Sequence, residues 1–216
     1  LTKKYSLAKV LQHSGVFDTH SREARKTNKD ILSWIDANHN KKFFMFAHFF
    51  DIHGDTFGKE RKQEKKIKNY DQNIKIIDQE IGKIIDKLKE KGVFDDTLIV
   101  ILSDNGETLH NNQGRKLGHG WNLSEEEFKV PLIMYNKNII PSKKITEITR
   151  HIDIVPTLLS ILGLDYKLRI DGTNLTPLIY NDAKMNQIAF LESYPPFGEI
   201  KGIRTENWLY ILKDKK

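Results

Sequence analysis

An apolar segment of six residues that ends abruptly in a polar loop constrains the fold most. Thr97–Leu102 contains β-branched and aliphatic residues without polar alternation, which is typical of a strand buried on both faces. Ser103-Asp104-Asn105-Gly106-Glu107 follows directly. In open α/β sheets, ligands bind at the carboxyl ends of the strands. The sequence therefore predicts a ligand site in the loop that contains Asp104.

The first acidic and amide side chains of this loop suit a divalent cation. Asp104 offers an anionic oxygen and Asn105 a neutral one, and both are hard ligands of the kind that Ca²⁺ and Mg²⁺ prefer. The alternative is a plain turn, in which Asp and Asn bind backbone amides and Gly106 reverses the chain. Glu107 also has two interpretations: it caps the following turn, or it contacts the metal ion. Two ligands alone would hold a hard cation weakly, because such sites use about six or more oxygens.

An earlier apolar segment has the same organisation. Phe43–Phe50 has the length of a strand and ends in Asp51-Ile52-His53. Between the two segments, residues 70–88 carry apolar side chains at steps of three and four, the pattern of an amphipathic helix, and Gly92 is expected to end it. The order strand, helix, strand predicts a right-handed parallel crossover. Both polar ends should then open on one edge of the sheet.

The remaining patterns complete an α/β prediction. At 216 residues the chain is long enough for one such domain, and no linker divides it. We expect a single domain over 1–216, with a mostly parallel sheet sandwiched between helices. The further predicted elements are a helix over 21–38, a strand at 131–135, a helix capped by Asp153 and ended by Gly163, and strands at 188–191 and 208–212.

A long glycine-rich loop, residues 105–129, contains Gly118-His119-Gly120. A connection of this length in a compact domain is usually functional or disordered. The glycines let the backbone approach a ligand closely, beside an accessible imidazole. We therefore predict that His53 and His119 bind the oxygens of a tetrahedral anion or protonate a leaving group. The other histidines are assigned no function: His13, His20, His39, His48, His110 and His151.

Composition excludes several classes of function. The chain has no cysteine, which excludes disulfides, thiolate metal sites and a cysteine nucleophile within these residues. The net charge is +6, but much of it lies in the mixed-sign run 59–66, a pattern of a solvated helix or loop. No basic stripe with interleaved aromatic residues accompanies it, so nucleic acid is not an expected partner. No apolar run approaches the roughly 20 residues of a membrane span, and the compartment stays unknown.

Several motifs, in order along the chain, resemble the sulfatase family of the alkaline phosphatase superfamily. They are Phe50-Asp51-Ile52-His53, Leu102–Glu107, Gly118-His119-Gly120, Val130-Pro131-Leu132-Ile133 and Asp153–Leu159, and the similarity covers roughly residues 30–165. The resemblance implies an alkaline-phosphatase-like fold and hydrolysis of a sulfate ester. It also implies one divalent metal ion, calcium first, with magnesium, manganese or zinc as alternatives.

Site residues and substrate follow from the same resemblance. Asp104 and Asn105 match metal ligands of the family, while His53 and His119 match residues that contact the sulfate or assist the leaving group. Aspartate followed by asparagine favours calcium and sulfate esters. The implied partner is a sulfated small molecule or glycan.

The sequence also departs from the family. The nucleophile motif, Cys/Ser-x-Pro/Ala-x-Arg, and the first aspartate ligands do not occur in these 216 residues, and Gly54 replaces the usual proline after His53. We therefore expect a carboxyl-side portion of the fold, incomplete at the amino-terminal side and inactive by itself. The missing amino-terminal portion would be a further partner.

Two alternative functions remain open. One is a phosphate or phosphonate ester hydrolase, or a phosphotransferase, of the same superfamily that uses manganese or zinc at the same positions. The other is a sulfatase-like domain that binds an anion or a partner chain without catalysis.

Overall fold

The computed structural model describes residues 23–53, 63–110, 118–167, 169–181, 183–195 and 198–213, with only the backbone described for 63–68. His13, His20 and residues 59–62 of the charged run 59–66 lie outside these residues. The chain forms two compact units, residues 1–94 and 95–216. The expectation of a single domain over 1–216 stays a prediction.

The first unit contains a pair of helices, α1 (Ala24–Asn38) and α2 (Gln63–Glu90). Ala24, Asn28, Ile31 and Ile35 recur at steps of four and three on α1 and are buried, as one face of an amphipathic helix should be. Both predicted helices are confirmed, although α2 begins earlier than its apolar pattern does. It ends where Gly92 adopts a φ of +70°, which glycine accepts without strain.

Polar contacts fix how α1 lies against α2. The side-chain amide of Asn28 donates to Glu80 Oε2 at 2.6 Å and to the Glu80 carbonyl at 3.1 Å. Lys83, together with Asn28, hydrogen-bonds the Glu80 carboxylate and lowers its pKa below the ordinary value. At the other end, Lys91 lies 2.7 Å from Asp36 and lowers the pKa of that carboxyl group.

The predicted strand Phe43–Phe50 is wrong for the described residues. The segment belongs to no strand, and Phe44 and Phe46 are 74% and 78% exposed. A strand exists only where a neighbouring backbone supplies ladder hydrogen bonds, and no described segment supplies them here. High β-propensity alone therefore did not make this segment a strand.

The second unit contains two small sheets. In the first, β1 (Ile99–Leu102) pairs antiparallel with β2 (Leu132–Tyr135), with Ile99 opposite Tyr135 and Leu102 opposite Leu132. The side-chain amide of Asn136 fixes this pairing by donating to the carbonyls of Asp95 and Thr97 at 2.9 and 3.1 Å. The strands at 97–102 and 131–135 are thus confirmed, but β1 is only half-buried and Leu102 is 41% exposed.

In the second sheet, β3 (Ala189–Ser193), β4 (Ile200–Arg204) and β5 (Leu209–Lys213) are antiparallel. The late strands are confirmed, whereas β4 was not predicted, because Gly202 interrupts its apolar pattern. A Cβ at Gly202 would lie 3.3 Å from Leu123 Cδ1, so this face packs on the segment just before the helix Glu125–Phe128.

The α/β class is confirmed, but the predicted parallel pairing is not seen among the described strands. Every strand pair there is antiparallel. The expected crossover needed Phe43–Phe50 as a strand, and β1 instead has β2 as its neighbour. None of the described helices is both long and apolar enough to cross a bilayer.

Short helices complete the second unit: α3 (Glu125–Phe128), α4 (Ile154–Ile161), α5 (Thr176–Tyr180) and 3₁₀ turns at Phe94–Asp96 and His151–Asp153. The predicted helix ending at Gly163 is confirmed, and Gly163 has a φ of +62°.

The predicted capping of α4 by Asp153 is wrong, because its carboxylate belongs instead to the capping box of the preceding 3₁₀ turn, where the Arg150 N–H donates to Asp153 Oδ2 at 2.9 Å. This fully buried residue makes no side-chain cap bond to α4. It accepts instead from the Arg150 guanidinium at 2.8 and 3.1 Å and from the Thr173 N–H at 2.7 Å. Burial raises the pKa of Asp153, but the hydrogen bonds from Arg150 and Thr173 outweigh it, so the net pKa is lowered. The carboxylate is thus hydrogen-bonded to the Arg150 guanidinium and not to the N–H groups in the first turn of α4.

Candidate functional site

The loop after β1 presents Asp104 and Asn105 on a tight turn. The Asn105 N–H donates to Asp104 Oδ1 at 3.0 Å, and Ser103 Oγ donates to the Asn105 carbonyl at 2.6 Å. The Asn105 side-chain nitrogen donates to the Gly106 carbonyl at 2.9 Å. Since that nitrogen is engaged, the amide oxygen is the ligand atom that Asn105 can offer to a cation.

These two residues fit part of a site for an oxygen-loving divalent cation. Their donor set is one carboxylate and one amide oxygen, which suits calcium or magnesium. Among the described residues, no group of three or more His, Asp or Glu side chains could hold a metal ion. The assignment of Asp104 and Asn105 as metal ligands and the rest of the ligand set therefore stay predictions.

Gly106 brings the Asp104–Asn105 turn against α3. Its N–H donates to the Glu127 carbonyl at 2.7 Å. A Cβ at position 106 would lie 2.0 Å from the Glu126 carbonyl oxygen, far inside contact distance. Glycine is therefore required where the turn passes the backbone of α3.

The carboxylate of Glu127 holds the loop that carries His119. Glu127 is 6% exposed. Its Oε2 accepts from the backbone N–H groups of Gly120, Trp121 and Asn122 at 3.0, 3.3 and 3.3 Å. Its Oε1 accepts from Thr108 Oγ1 at 3.1 Å and from the Asn122 side chain at 2.7 Å. Charge-assisted bonds of this kind are stronger than neutral ones, so one buried carboxylate shapes the whole loop.

His119 is hydrogen-bonded to a carboxylate through its Nδ1. Its Nδ1 lies 2.8 Å from Glu107 Oε2, and the two side chains are 23% and 6% exposed. Backbone bonds of 3.0 Å in both directions join Thr108 to Gly118 nearby. The sequence allows Glu107 to be either a turn cap or a metal contact. In the structure its carboxylate is instead hydrogen-bonded to His119.

His151 is a residue that sequence analysis did not assign to the site. Its Nε2 lies 2.9 Å from the carbonyl oxygen of Ser103, the residue directly before Asp104. The contact joins the 3₁₀ turn at His151–Asp153 to the end of β1. No local pattern around His151 signals this contact, because it spans a large sequence separation.

His53 lies in the first unit, on a turn after Phe43–Phe50. Its N–H donates to the Phe50 carbonyl at 3.1 Å, and its ring stacks on the Phe50 ring at 4.4 Å. Asp51 fixes the turn: Oδ1 accepts from the Ala24 N–H at the start of α1 at 2.9 Å, and its carbonyl accepts from Asn73 of α2 at 2.8 Å. A common site for His53 and the residues of the second unit stays a prediction.

Comparison with known proteins decides the family. The sequence model of the Sulfatase family matches residues 11–164, well over half of the chain. This chain belongs to the sulfatase family. A choline-sulfatase of Rhizobium meliloti (strain 1021) is 31% identical over 150 residues, which cover 66% of this chain and 28% of that protein.

Solved structures agree with the sulfatase assignment. A protein described in complex with its substrate D-glucosamine-2-N,6-O-disulfate has a TM-score of 0.58 and 26% identity, over 74% of this chain and 34% of its own. A phosphonate monoester hydrolase from Silicibacter pomeroyi has a TM-score of 0.55 and 23% identity, over 71% and 35%. The alkaline-phosphatase-like α/β fold and the assignment to sulfatase-type hydrolases are thus confirmed. The sulfatase chain spans about a third of the length of the relatives it matches.

Proposed function

We propose that this chain forms part of the active site of a metal-dependent sulfatase, which hydrolyses a sulfate ester to an alcohol and inorganic sulfate. One observation carries the proposal. Within the second unit, the Asp104–Asn105 turn and the His119 loop are both fastened to α3, through the backbone carbonyl and the carboxylate of the same residue, Glu127. The Asp104–Asn105 turn and the described segment around His119 are therefore tied to one residue.

Each candidate residue has a role in this proposal. Asp104 and Asn105 would hold one divalent cation, with calcium as the first candidate, and that cation when bound supplies positive charge that neutralises the ester oxygens. His119 and His53 contact the sulfate oxygens and donate a proton to the departing alcohol. Since Nδ1 of His119 is held by Glu107, its Nε2 is the atom that exchanges the proton. The nucleophile is assigned to none of these residues.

A sulfated small molecule or glycan is the proposed substrate. The names of two similar proteins support this class, a choline-sulfatase and a protein bound to a disulfated glucosamine. The net charge of +6 is compatible with an anionic substrate.

Turnover of an aryl sulfate by the whole native protein tests the proposal. We expect Asp104→Ala, Asn105→Ala and His119→Ala each to lower kcat/KM by about 100-fold or more. His39→Ala is the matched control and should leave kcat/KM unchanged, because His39 lies at the end of α1 and binds the Asp36 carbonyl. Removal of divalent cations with a chelator should abolish turnover, and added calcium should restore it.

The same assay separates the alternatives. Faster turnover of an aryl phosphate or phosphonate than of the sulfate, restored by manganese or zinc, would replace the sulfatase with a phosphoryl or phosphonyl hydrolase. Absence of turnover for all three esters, together with measurable binding of sulfate, would favour the non-catalytic domain.

A further inference from the structure

Glu107 is a buried carboxylate with an unusual environment. One oxygen, Oε2, accepts from His119 Nδ1, while Oε1 is buried and has no hydrogen-bond donor among the described residues. Buried acceptors are normally satisfied, and each exception in a native structure calls for an explanation.

The backbone places Glu107 directly beside His119. Thr108 and Gly118 form an antiparallel bridge, with N–H groups donating in both directions at 3.0 Å. In that register the next residue pair outward is Glu107 and His119. Residues opposite each other in antiparallel pairs have neighbouring Cβ atoms. The contact therefore follows from a backbone register that brings together residues on either side of the loop.

Gly118 supplies the backbone conformation of this bridge. Its φ of +105° strains any residue with a side chain. A Cβ there would lie 3.4 Å from Trp121 Nε1 and 3.5 Å from Glu107 Oε1, which are ordinary contact distances. The backbone angle, and not lack of space, therefore requires glycine beside the Glu107–His119 pair.

The chemistry of the contact fixes the tautomer of the histidine. A carboxylate oxygen only accepts, so the bond requires the proton on Nδ1. The neutral imidazole then carries its lone pair on Nε2, although the Nε2–H form is the preferred one for free histidine in water. Ring orientation and tautomer are set together by one side chain.

We propose that Glu107 is the positioning residue of His119: by accepting from Nδ1–H, it makes Nε2 the nitrogen that takes up a proton from water and, as the imidazolium, gives that proton to the departing alcohol. The proposal deepens the proposed sulfatase function and rests on the role of His119 in it.

Nuclear magnetic resonance of the ¹⁵N-labelled histidine ring tests the tautomer independently of turnover. At neutral pH we expect the neutral His119 ring to carry its proton on Nδ1, and Glu107→Ala to shift the ring towards the Nε2–H form. Glu107→Gln retains an acceptor oxygen and should keep most of the Nδ1–H population. A wild-type ring that is mainly Nε2–H would overturn the proposal whatever the enzyme hydrolyses.

A double-mutant cycle in the whole protein tests the catalytic consequence. We expect Glu107→Ala to lower kcat by about 10-fold to 100-fold with little change in KM, and to have no further effect when His119 is already alanine. Glu126→Ala, an exposed glutamate of α3, is the matched control.

Two failures are distinguishable in that cycle. If His119→Ala alone has no effect, the role of His119 in the proposed function is wrong. If His119→Ala lowers kcat but the two substitutions act independently, the positioning role of Glu107 is wrong while the sulfatase function stands.

Discussion

The two candidate histidines are held by different means. On the His53 turn, the Asp51 carboxylate binds the backbone at the start of α1, and the imidazole itself stacks on Phe50. On the His119 loop, Glu127 binds the backbone and a second carboxylate, Glu107, binds the ring. Stacking fixes the plane of a ring but not its proton, whereas a carboxylate fixes both. The contact with Glu107 therefore sets both the orientation and the tautomer of the His119 ring.

Glu127→Ala should release the backbone of the segment that carries His119, and it has the largest expected effect on the free energy of unfolding. The substitution removes the acceptor shared by the part-buried N–H donors of Gly120, Trp121 and Asn122. At about 1–3 kcal/mol for each unsatisfied donor, we expect the free energy of unfolding to fall by about 4 kcal/mol. Chemical denaturation measures the loss, and Glu126→Ala should stay within about 0.5 kcal/mol of wild type.

Arg150→Met extends the comparison to Asp153, a third carboxylate with a buried side chain, by removing the cation that it binds. We expect a loss of about 3 kcal/mol, because a buried carboxylate then lacks its charged partner. The wild-type protein should also lose stability on acidification. Since the folded pKa of Asp153 is lowered, its contribution is present above the unfolded pKa of about 4 and is lost as pH falls through the folded pKa.

Denaturation at a series of pH values checks this second point. In Arg150→Met the loss of stability below about pH 4 should be smaller than in wild type, because the charge that lowers the pKa of Asp153 is gone. Equal pH dependence in the two proteins would assign the acid sensitivity to other carboxylates.

Asp51→Ala tests how the turn that carries His53 is held against α1. The Ala24 N–H at the start of α1 loses its acceptor, and capping substitutions of this kind cost about 1 kcal/mol. We expect faster amide hydrogen exchange in the first turn of α1. Asp71→Ala, at an exposed position of α2, should leave that exchange unchanged.

Phe50→Leu has the smallest expected effect. It removes an aromatic ring that stacks on His53 at 4.4 Å but keeps an apolar side chain. We expect about 1 kcal/mol less stability and greater motion of the His53 ring by NMR relaxation, with the His119 ring unaffected. A comparable change at both rings would show that the two histidines are not held independently.

The local elements were predictable from sequence, because their signals lie within each segment. The i, i+4 spacing of Ala24 and Asn28, or the unbroken apolar run of β1, needs no distant partner to be read. The predictions that failed depended on which segment or side chain a residue contacts. Phe43–Phe50 has the composition of a strand but no described strand beside it. Asp153 accepts from the Arg150 guanidinium and not from the N–H groups of α4.

The candidate site divides in the same way. Asp104, Asn105 and His119 stand out as polar or glycine-flanked residues after apolar runs, and their placement on one loop system followed from the family motifs. Glu107, Glu127 and His151 did not stand out, since their partners lie 12, 5 to 19, and 48 residues away. A hairpin register for the 105–122 loop would have identified Glu107, but nothing in the sequence specifies that register.

The close approach of Gly106 to α3 restricts which residues can be exchanged at the end of β1. The backbone path is fixed by glycine, because any Cβ there would collide with the Glu126 carbonyl. The side chain at position 105 is half-buried on the same turn and donates to the Gly106 carbonyl at 2.9 Å. A residue exchanged at position 105 to alter the proposed cation preference therefore has to keep this hydrogen bond, whereas the glycine at 106 has to stay.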